Sequence, residues 1–470
     1  MGGGQSRRTF LKMAALSAGA AGVAGLGAGL LGETGMDFEP NNSYWTREKP
    51  HPCAPLDGDL DVDVAVIGAG YTGLSAAWHL AQSLPGSDVV VLEARQPGHG
   101  ASGRHGGMVL PMFSAESFEI CSDPTTHGQL YAITVNGMRA LERLVNATGV
   151  ECDLQLDGYI HAILDEEDMD YYRPYVTQAR QVGIPLELLD EAEVAEELGS
   201  ELYAGGVYDP GGGSVHAMKL VNALTTAVKK AGVRIFGDSP VFGVEEGETI
   251  TVRVGAAGRT VRARSLVLAT NAYTTKLGYF ASGIVPIHVQ TAVTPPLDRK
   301  RLSATGWKSR LPFYDSRNAL FHLVLTPDNR IVIGGGSAEY FFGNGWRYKG
   351  DLPAIARMLQ AELVLMYPGL AGLGFDYVWD GMIGVTRDDT PAVGVTGRHR
   401  NIYYGLACNG QGVNLAFVFG EVIAALHQKR PHPWLETPYA SHTLPYIPPE
   451  PLRWIGVQAA MRYYDWQDKE

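Results

Sequence analysis

Short, almost unbroken apolar runs alternate along this chain with stretches of helical spacing, the pattern of a sheet buried on both faces between helices. The first such run spans 62–67 and meets Gly68-Ala69-Gly70-Tyr71-Thr72-Gly73 without a gap. Helical spacing follows over 74–84, and a second apolar run, Val89-Val90-Val91-Leu92, ends at Glu93. The order is strand, glycine turn, helix, strand, acid. Farther along, the spacing predicts helices over 128–147, 166–182, 191–198, 215–231, 351–366 and 413–427. It predicts strands at 159–164, 233–235, 251–254, 260–263 and 266–269. From 284 to 336 the pattern turns to short strands punctuated by Pro and Gly, which predicts a separate antiparallel sheet. Residues 33–58, rich in Pro, Asn and Gly, read as a linker or surface arm.

Ahead of all this stands Ser6-Arg7-Arg8-Thr9-Phe10-Leu11-Lys12, followed by an uncharged run over 13–32. A paired arginine before an apolar stretch is an address rather than a piece of fold. It predicts twin-arginine export of an already folded chain, and hence a periplasmic location or the outer face of the cytoplasmic membrane. The run has the length of a membrane span, ~17–25 residues, yet 13 of its 20 residues are Ala or Gly. Cleavage and a retained anchor both stay open.

Composition narrows the function classes. With 470 residues the chain exceeds the size of one core, so two interleaved domains are expected. A net charge of −12 argues against nucleic acid, which needs a basic stripe. The four cysteines (Cys53, Cys121, Cys152, Cys408) form no CxxC pair and no metal-ligand spacing, so no metal is expected.

The glycine turn carries the chemistry. Gly68 permits a tight turn, Gly70 lets a pyrophosphate approach the backbone, and Gly73 lets the helix pack on the strand. The helix N-terminus offers free N–H groups to phosphate, and Glu93 can accept from a ribose hydroxyl. A second glycine-rich stretch, 98–107, follows soon after. It contains Gly100, Ala101, Ser102, Arg104, His105, Gly106 and Gly107 behind Glu93-Ala94-Arg95. A third, Asn409-Gly410-Gln411-Gly412-Val413, opens the last predicted helix, and Thr270-Asn271 ends a strand in mid-chain. Contacts spread this widely suit one long ligand, FAD, better than NAD.

The chain resembles the FAD-dependent amine and amino-acid oxidoreductases typified by D-amino-acid oxidase, glycine oxidase and monomeric sarcosine oxidase, and within them the gamma-glutamylputrescine-oxidoreductase-like branch. The resemblance runs over 44–464. It is carried by DVAVIGAGYTGLSAAWHL, VVVLEARQPGHGASGRHGG, YDPGGGSVHAMKL, LVLATNAYT, WDGMIGVTRDDTPAVG and PPEPLRWIG. It implies an α/β chain whose Rossmann-like FAD-binding domain (59–150, 205–280, 376–435) interleaves with a substrate domain (151–204, 281–375) built on an antiparallel sheet. A signal (1–35), an arm (36–58) and a C-terminal extension (436–470) flank them. It adds Val241 and Gly381 to the expected FAD contacts. It also implies hydride transfer from an amine or amino acid to flavin N5, giving an imine that water hydrolyses, with O2 or another acceptor taking the electrons.

The departures bear on chemistry. His105 stands where the branch has Asn; it is either a hydrogen-bonding substitute or a site of covalent flavin attachment. Gly381 occupies the place of the flavin-linking cysteine of sarcosine oxidases, which excludes a link there. Asn414 stands where relatives hold a substrate carboxylate with a basic residue. Val332 stands where they carry an oxygen-activating lysine. His105, His322 and Trp379 remain the candidate catalytic residues, against the plainer reading of each as core. A non-amine FAD protein, or a dehydrogenase serving a membrane or periplasmic acceptor, is the alternative.

Overall fold

The computed structural model describes residues 38–111 and 123–468. The expected export signal lies outside the described residues. Two eight-stranded sheets organise the rest.

In the first sheet the order is Ala392–Thr396, Ile402–Leu406, Arg259–Leu268, Leu60–Ile67, Val89–Leu92 and Arg234–Phe236, with Ile250–Val254 and Val241–Glu245 branching from one edge. Leu60–Ile67 is central, parallel to Arg259–Leu268 on one side and to Val89–Leu92 on the other. Val64, Ala65 and Val66 are therefore fully buried, as an apolar run without alternation requires. The segments read as two strands at 260–263 and 266–269 form one. Its first half pairs antiparallel with Ile250–Val254 and alternates buried with exposed; its second half pairs parallel with Ile402–Leu406 and is buried throughout. The change of partner explains why the hydrophobic pattern breaks midway.

Helix Tyr71–Ser83 crosses this sheet and packs along helix Gly412–Gln428. The contact is close because a Cβ on Gly420 would lie 2.1 Å from Ser75 Oγ. Ser75 Oγ in turn donates to the Phe417 carbonyl at 2.7 Å. Gly420 thus lets the two helices approach at backbone distance.

The second sheet runs Tyr377–Val385, Val285–Val293, Ile331–Gly335, Phe321–Leu325, Phe313–Asp315, Tyr159–Ile163, Gly205–Asp209 and Glu187–Asp190. It departs from the antiparallel expectation at one joint, where Phe313–Asp315 and Tyr159–Ile163 run parallel. Two of its strands, Gly205–Asp209 and Tyr377–Val385, fall in segments that sequence reading assigns to the FAD-binding unit. Each continues directly into that unit, so no turn or composition shift marks the crossing.

The arm is not a loose linker from residue 41 onward. Asn41 Nδ2 and Ser43 Oγ both donate to the Gly103 carbonyl, and Trp45 Nε1 donates to the His105 carbonyl at 2.7 Å. Cys53 N–H reaches Gln96 Oε1, and Leu56 N–H reaches Ser239 Oγ. Its polar composition serves fastening rather than solvation. Helix Leu452–Gln467 in the C-terminal extension has no counterpart among the predicted helices. Among the described residues no helix is long and apolar enough to cross a membrane.

Candidate functional site

The turn between the first strand and first helix is built with no spare volume. A Cβ on Gly73 would fall 1.8 Å from the Gly68 carbonyl oxygen, and one on Gly68, whose φ is +102°, would meet the Ala269 carbonyl at 2.7 Å. Gly70 faces Ser102, whose Oγ accepts the Tyr71 N–H at 3.0 Å. The N–H groups of a first helical turn have no intrahelical partner, so this end presents donors and partial positive charge. Glu93 is buried behind it. Its Oε2 accepts from Ala69 N–H at 2.7 Å and its Oε1 from Arg95 N–H at 3.0 Å. Burial raises its pKa while those N–H bonds hold it down.

An elongated cavity with about 1340 Å³ of empty volume, partly open to solvent, extends from this turn. Of the residues expected at the cofactor, its wall includes Gly68, Gly70, Tyr71, Thr72, Glu93, Ala94, Gly100, Ala101, Ser102, His105, Val241, Thr270, Asn271, Gly410, Gly412 and Val413. Segments distant in sequence therefore meet along one channel. The others stand behind the wall. Ala69 and Gly73 set its backbone, and Arg95 Nη2 turns outward to the Phe38 carbonyl. Arg104 spends its guanidinium on the carbonyls of His99, Asp380 and Pro40. Gly381 is pressed against the Arg104 Cβ. Trp379 is a wedge: its buried indole N–H donates to the Arg104 carbonyl at 2.7 Å.

His105 is held on both sides. Gly107 N–H donates to its Nδ1 at 3.0 Å, so Nδ1 carries no proton. Its Nε2–H then donates to Tyr71 Oη at 2.9 Å, and the Tyr71 hydroxyl donates to the Ala217 carbonyl, also at 2.9 Å. Burial, with the neighbouring His322 and His216, pushes the His105 pKa down to about 3. The ring is neutral and saturated, which leaves neither nitrogen as a base or as a nucleophile toward flavin. His322 is different. Its Nε2 is buried without a partner, and a Cβ on Gly106 would lie 1.9 Å from that nitrogen. Burial pushes its pKa down to about 4. It touches the back of the loop that carries His105 rather than the cavity wall.

Sequence reading missed part of the wall: Phe38, His99, Tyr273, Lys276, Leu277, Trp346, Met382, Ile383, Gly405, Cys408 and Ala416. Tyr273, Lys276 and Leu277 simply continue the segment that starts at Thr270, and Met382 and Ile383 follow Gly381. Phe38 and Trp346, whose ring centroids are 5.2 Å apart, come from the arm and a loop, where no periodicity announces them. Burial pushes the Cys408 thiol up to about 12, so it lines the wall as a protonated thiol and not as a nucleophile.

The residues fit FAD. Glu93 would hold the adenosine ribose, and the first helix N-terminus the pyrophosphate. The far turn places Gly410, Gly412 and Val413 on the wall at the start of helix Gly412–Gln428, where the free N–H groups of a helix N-terminus would meet a flavin edge.

Fold and cavity together define a dinucleotide-binding redox protein of the flavin type. Residues 63–426 match the family described as FAD dependent oxidoreductase, and the chain belongs to it. It is 30% identical over 396 residues to gamma-glutamylputrescine oxidoreductase of Escherichia coli, covering 83% of this chain and 89% of that one. It is 27% identical over 379 residues to glycine oxidase of Geobacillus kaustophilus, covering 78% of this chain and 93% of that one. A crystal structure of glycine oxidase from the same organism shares the fold with a TM-score of 0.69 at 22% identity, over 82% of this chain and 100% of that one.

Two outcomes follow from this geometry. Gly73→Ala should weaken FAD retention at least about tenfold, ~1.4 kcal/mol, read as flavin absorbance per chain after gel filtration. Gly374→Ala, where an added Cβ meets nothing within 4 Å, should keep its flavin; equal retention in both would contradict the packing argument. The second concerns pH. A native His105 that stays neutral to about pH 3, against an unfolded imidazole that charges near ~6.5, contributes stability above pH ~6.5 that is lost as pH falls toward 3. His105→Asn should therefore lose about 1–2 kcal/mol less than wild type between pH 7 and 5 in urea denaturation. Identical pH slopes would refute the assignment.

Proposed function

We propose that this protein oxidises the C–N bond of an amine, with FAD in the cavity as its redox group. The observation that carries the reading is the largely apolar wall that His105 shares with Met382, Ile383, Cys408, Val413 and Ala416, the imidazole itself being held neutral. Such surroundings favour the uncharged form of an amine over its ammonium, and an uncharged amine is the form that can give up a hydride from its α-carbon. When bound, FAD supplies the two-electron acceptor for that hydride. The protein's own part is to orient the amine, exclude water and offer N–H groups at the Gly410–Gly412 turn to developing negative charge. Relatives named for gamma-glutamylputrescine and glycine support a substrate with a C–N bond to oxidise.

An amine is favoured here over an α-amino acid. Asn414 is fully buried and its Nδ2 donates to the Thr134 carbonyl at 3.0 Å, so it does not reach out to a carboxylate. Lys276 is the single cation on the described wall. It leans on Trp346, with its Nζ 5.7 Å from the ring centroid.

The second reading concerns the acceptor. Val332 is fully buried in the core beside Trp379 and Val293, so the place where relatives carry an oxygen-activating lysine offers no charge. This favours a dehydrogenase that passes electrons to an acceptor other than O2. Ser6–Lys12 further supports twin-arginine export of the folded protein to the periplasm or the outer face of the membrane, where such acceptors reside.

Anaerobic addition of amines and of α-amino acids should bleach the flavin with an amine that lacks an adjacent carboxylate. The same compound should reduce a dye faster than it yields hydrogen peroxide. Bleaching only by α-amino acids, or by nothing, would overturn the reading. Replacing Arg7 and Arg8 together by Lys should leave the protein in the cytoplasm on fractionation; unchanged export would remove the twin-arginine assignment.

A further inference from the structure

Helix Leu452–Gln467 is fixed to the protein along one side only. Arg453 is buried and donates to the Ala281 carbonyl at 2.6 Å and to Asn344 Oδ1 at 2.9 Å. Val457 and Met461 pack on Val285, Tyr340 and Ile447. At the far end Asp468 accepts from the N–H groups of Asn318 and Ala319, at 2.9 and 2.8 Å. Turned away from those contacts are Leu452, Ile455, Ala459 and Trp466. Their spacing of three, four and seven residues places them on one face.

Among the described residues nothing covers that face: Leu452, Ile455 and Trp466 are 60%, 54% and 52% exposed. Its only charged neighbour along the helix is the cation Arg462, since Asp465 is engaged by Ser337. Phe342 and Tyr446, 61% and 63% exposed, extend the apolar surface beyond the helix start. Phe342 is held there because Gly343 N–H donates to Glu450 Oε1 at 2.9 Å. Exposed apolar side chains aligned on one helix face mark a docking site.

The rest of the chain indicates what covers it. Phe38, the first described residue, packs on Trp346 in the same loop whose Asn344 holds Arg453. Five residues, 33–37, separate Phe38 from the 20-residue uncharged run at 13–32. Fully extended, that tether reaches about 20 Å, and the run is as long as a bilayer-spanning helix. The apolar face thus lies where the N-terminal run can bring a membrane. Trp and Tyr beside an aliphatic row are the side chains that settle at the headgroup boundary.

We propose that the C-terminal helix lies on a lipid bilayer, burying Leu452, Ile455 and Trp466 at the interface. A chain of net charge −12 gains nothing from anionic lipid. Apolar burial drives the contact, and added salt should not release it.

The test uses the full FAD-loaded chain carrying Leu26→Glu and Leu30→Glu, so that the N-terminal run cannot span. This protein should float with vesicles of phosphatidylethanolamine and phosphatidylglycerol at low and high salt. Adding Ile455→Glu and Trp466→Glu should cut the bound fraction about tenfold or more at unchanged flavin absorbance. Ile455→Ser replaces the pair if the charged variant loses its flavin. The proposal fails if the starting protein stays with the soluble fraction, or if the stripe variants float as well as it does. It fails also if those variants turn a dimer into a monomer by light scattering while flotation is unchanged, because a second copy then covers the face.

Discussion

Everything at the cavity is referenced to one close contact, the Gly68 carbonyl oxygen lying where a Cβ of Gly73 would be. That contact seats helix Tyr71–Ser83 directly on the end of the first strand and aims its free N–H groups into the cavity. The same helix then positions the other parts. Tyr71 holds His105 by its hydroxyl and donates its N–H to Ser102 Oγ. Ser75 and Gly420 bring helix Gly412–Gln428 to backbone distance, and with it the glycine turn at the far end of the channel. One helix therefore registers both ends of an extended ligand.

The loop over 98–107 is shaped by two indoles. Trp379 donates to the Arg104 carbonyl and Trp45 to the His105 carbonyl, so consecutive carbonyls are held by different units, one by the second sheet and one by the arm. This turns the backbone so that the His105 ring meets Tyr71 and Gly107. With its ring neutral and fully bonded, His105 shapes the wall and leaves the redox work to the cofactor.

How much of this could be read from the chain depends on the range of the interaction. The strand, glycine turn, helix and acid at 62–93 are legible because their spacing is a local pattern, with Gly73 answering to Gly68 five residues earlier, although the contacts of Gly68 with Ala269 and of Gly70 with Ser102 are made only by the fold. The saturation of His105 is not legible, since its partner Tyr71 lies 34 residues earlier and only a fold brings them together. Trp346 and Phe38 come from loops that have no periodicity. The helix Leu452–Gln467 escaped because apolar residues on two faces, Val457 and Met461 inward and Leu452, Ile455 and Trp466 outward, erase the single stripe by which a surface helix is found. The parallel joint between Phe313–Asp315 and Tyr159–Ile163 pairs segments about 150 residues apart, for which no local signal exists.

The account stands or falls on a noncovalent FAD in this cavity, because His105 is saturated, Gly381 has no side chain and the Cys408 thiol stays protonated. The direct measurement is the flavin content of the purified protein, taken before and after acid precipitation. The account predicts a yellow protein with one FAD per chain, all of it released to the supernatant. A protein that stays colourless after incubation with FAD, or a pellet that keeps its flavin, would contradict it.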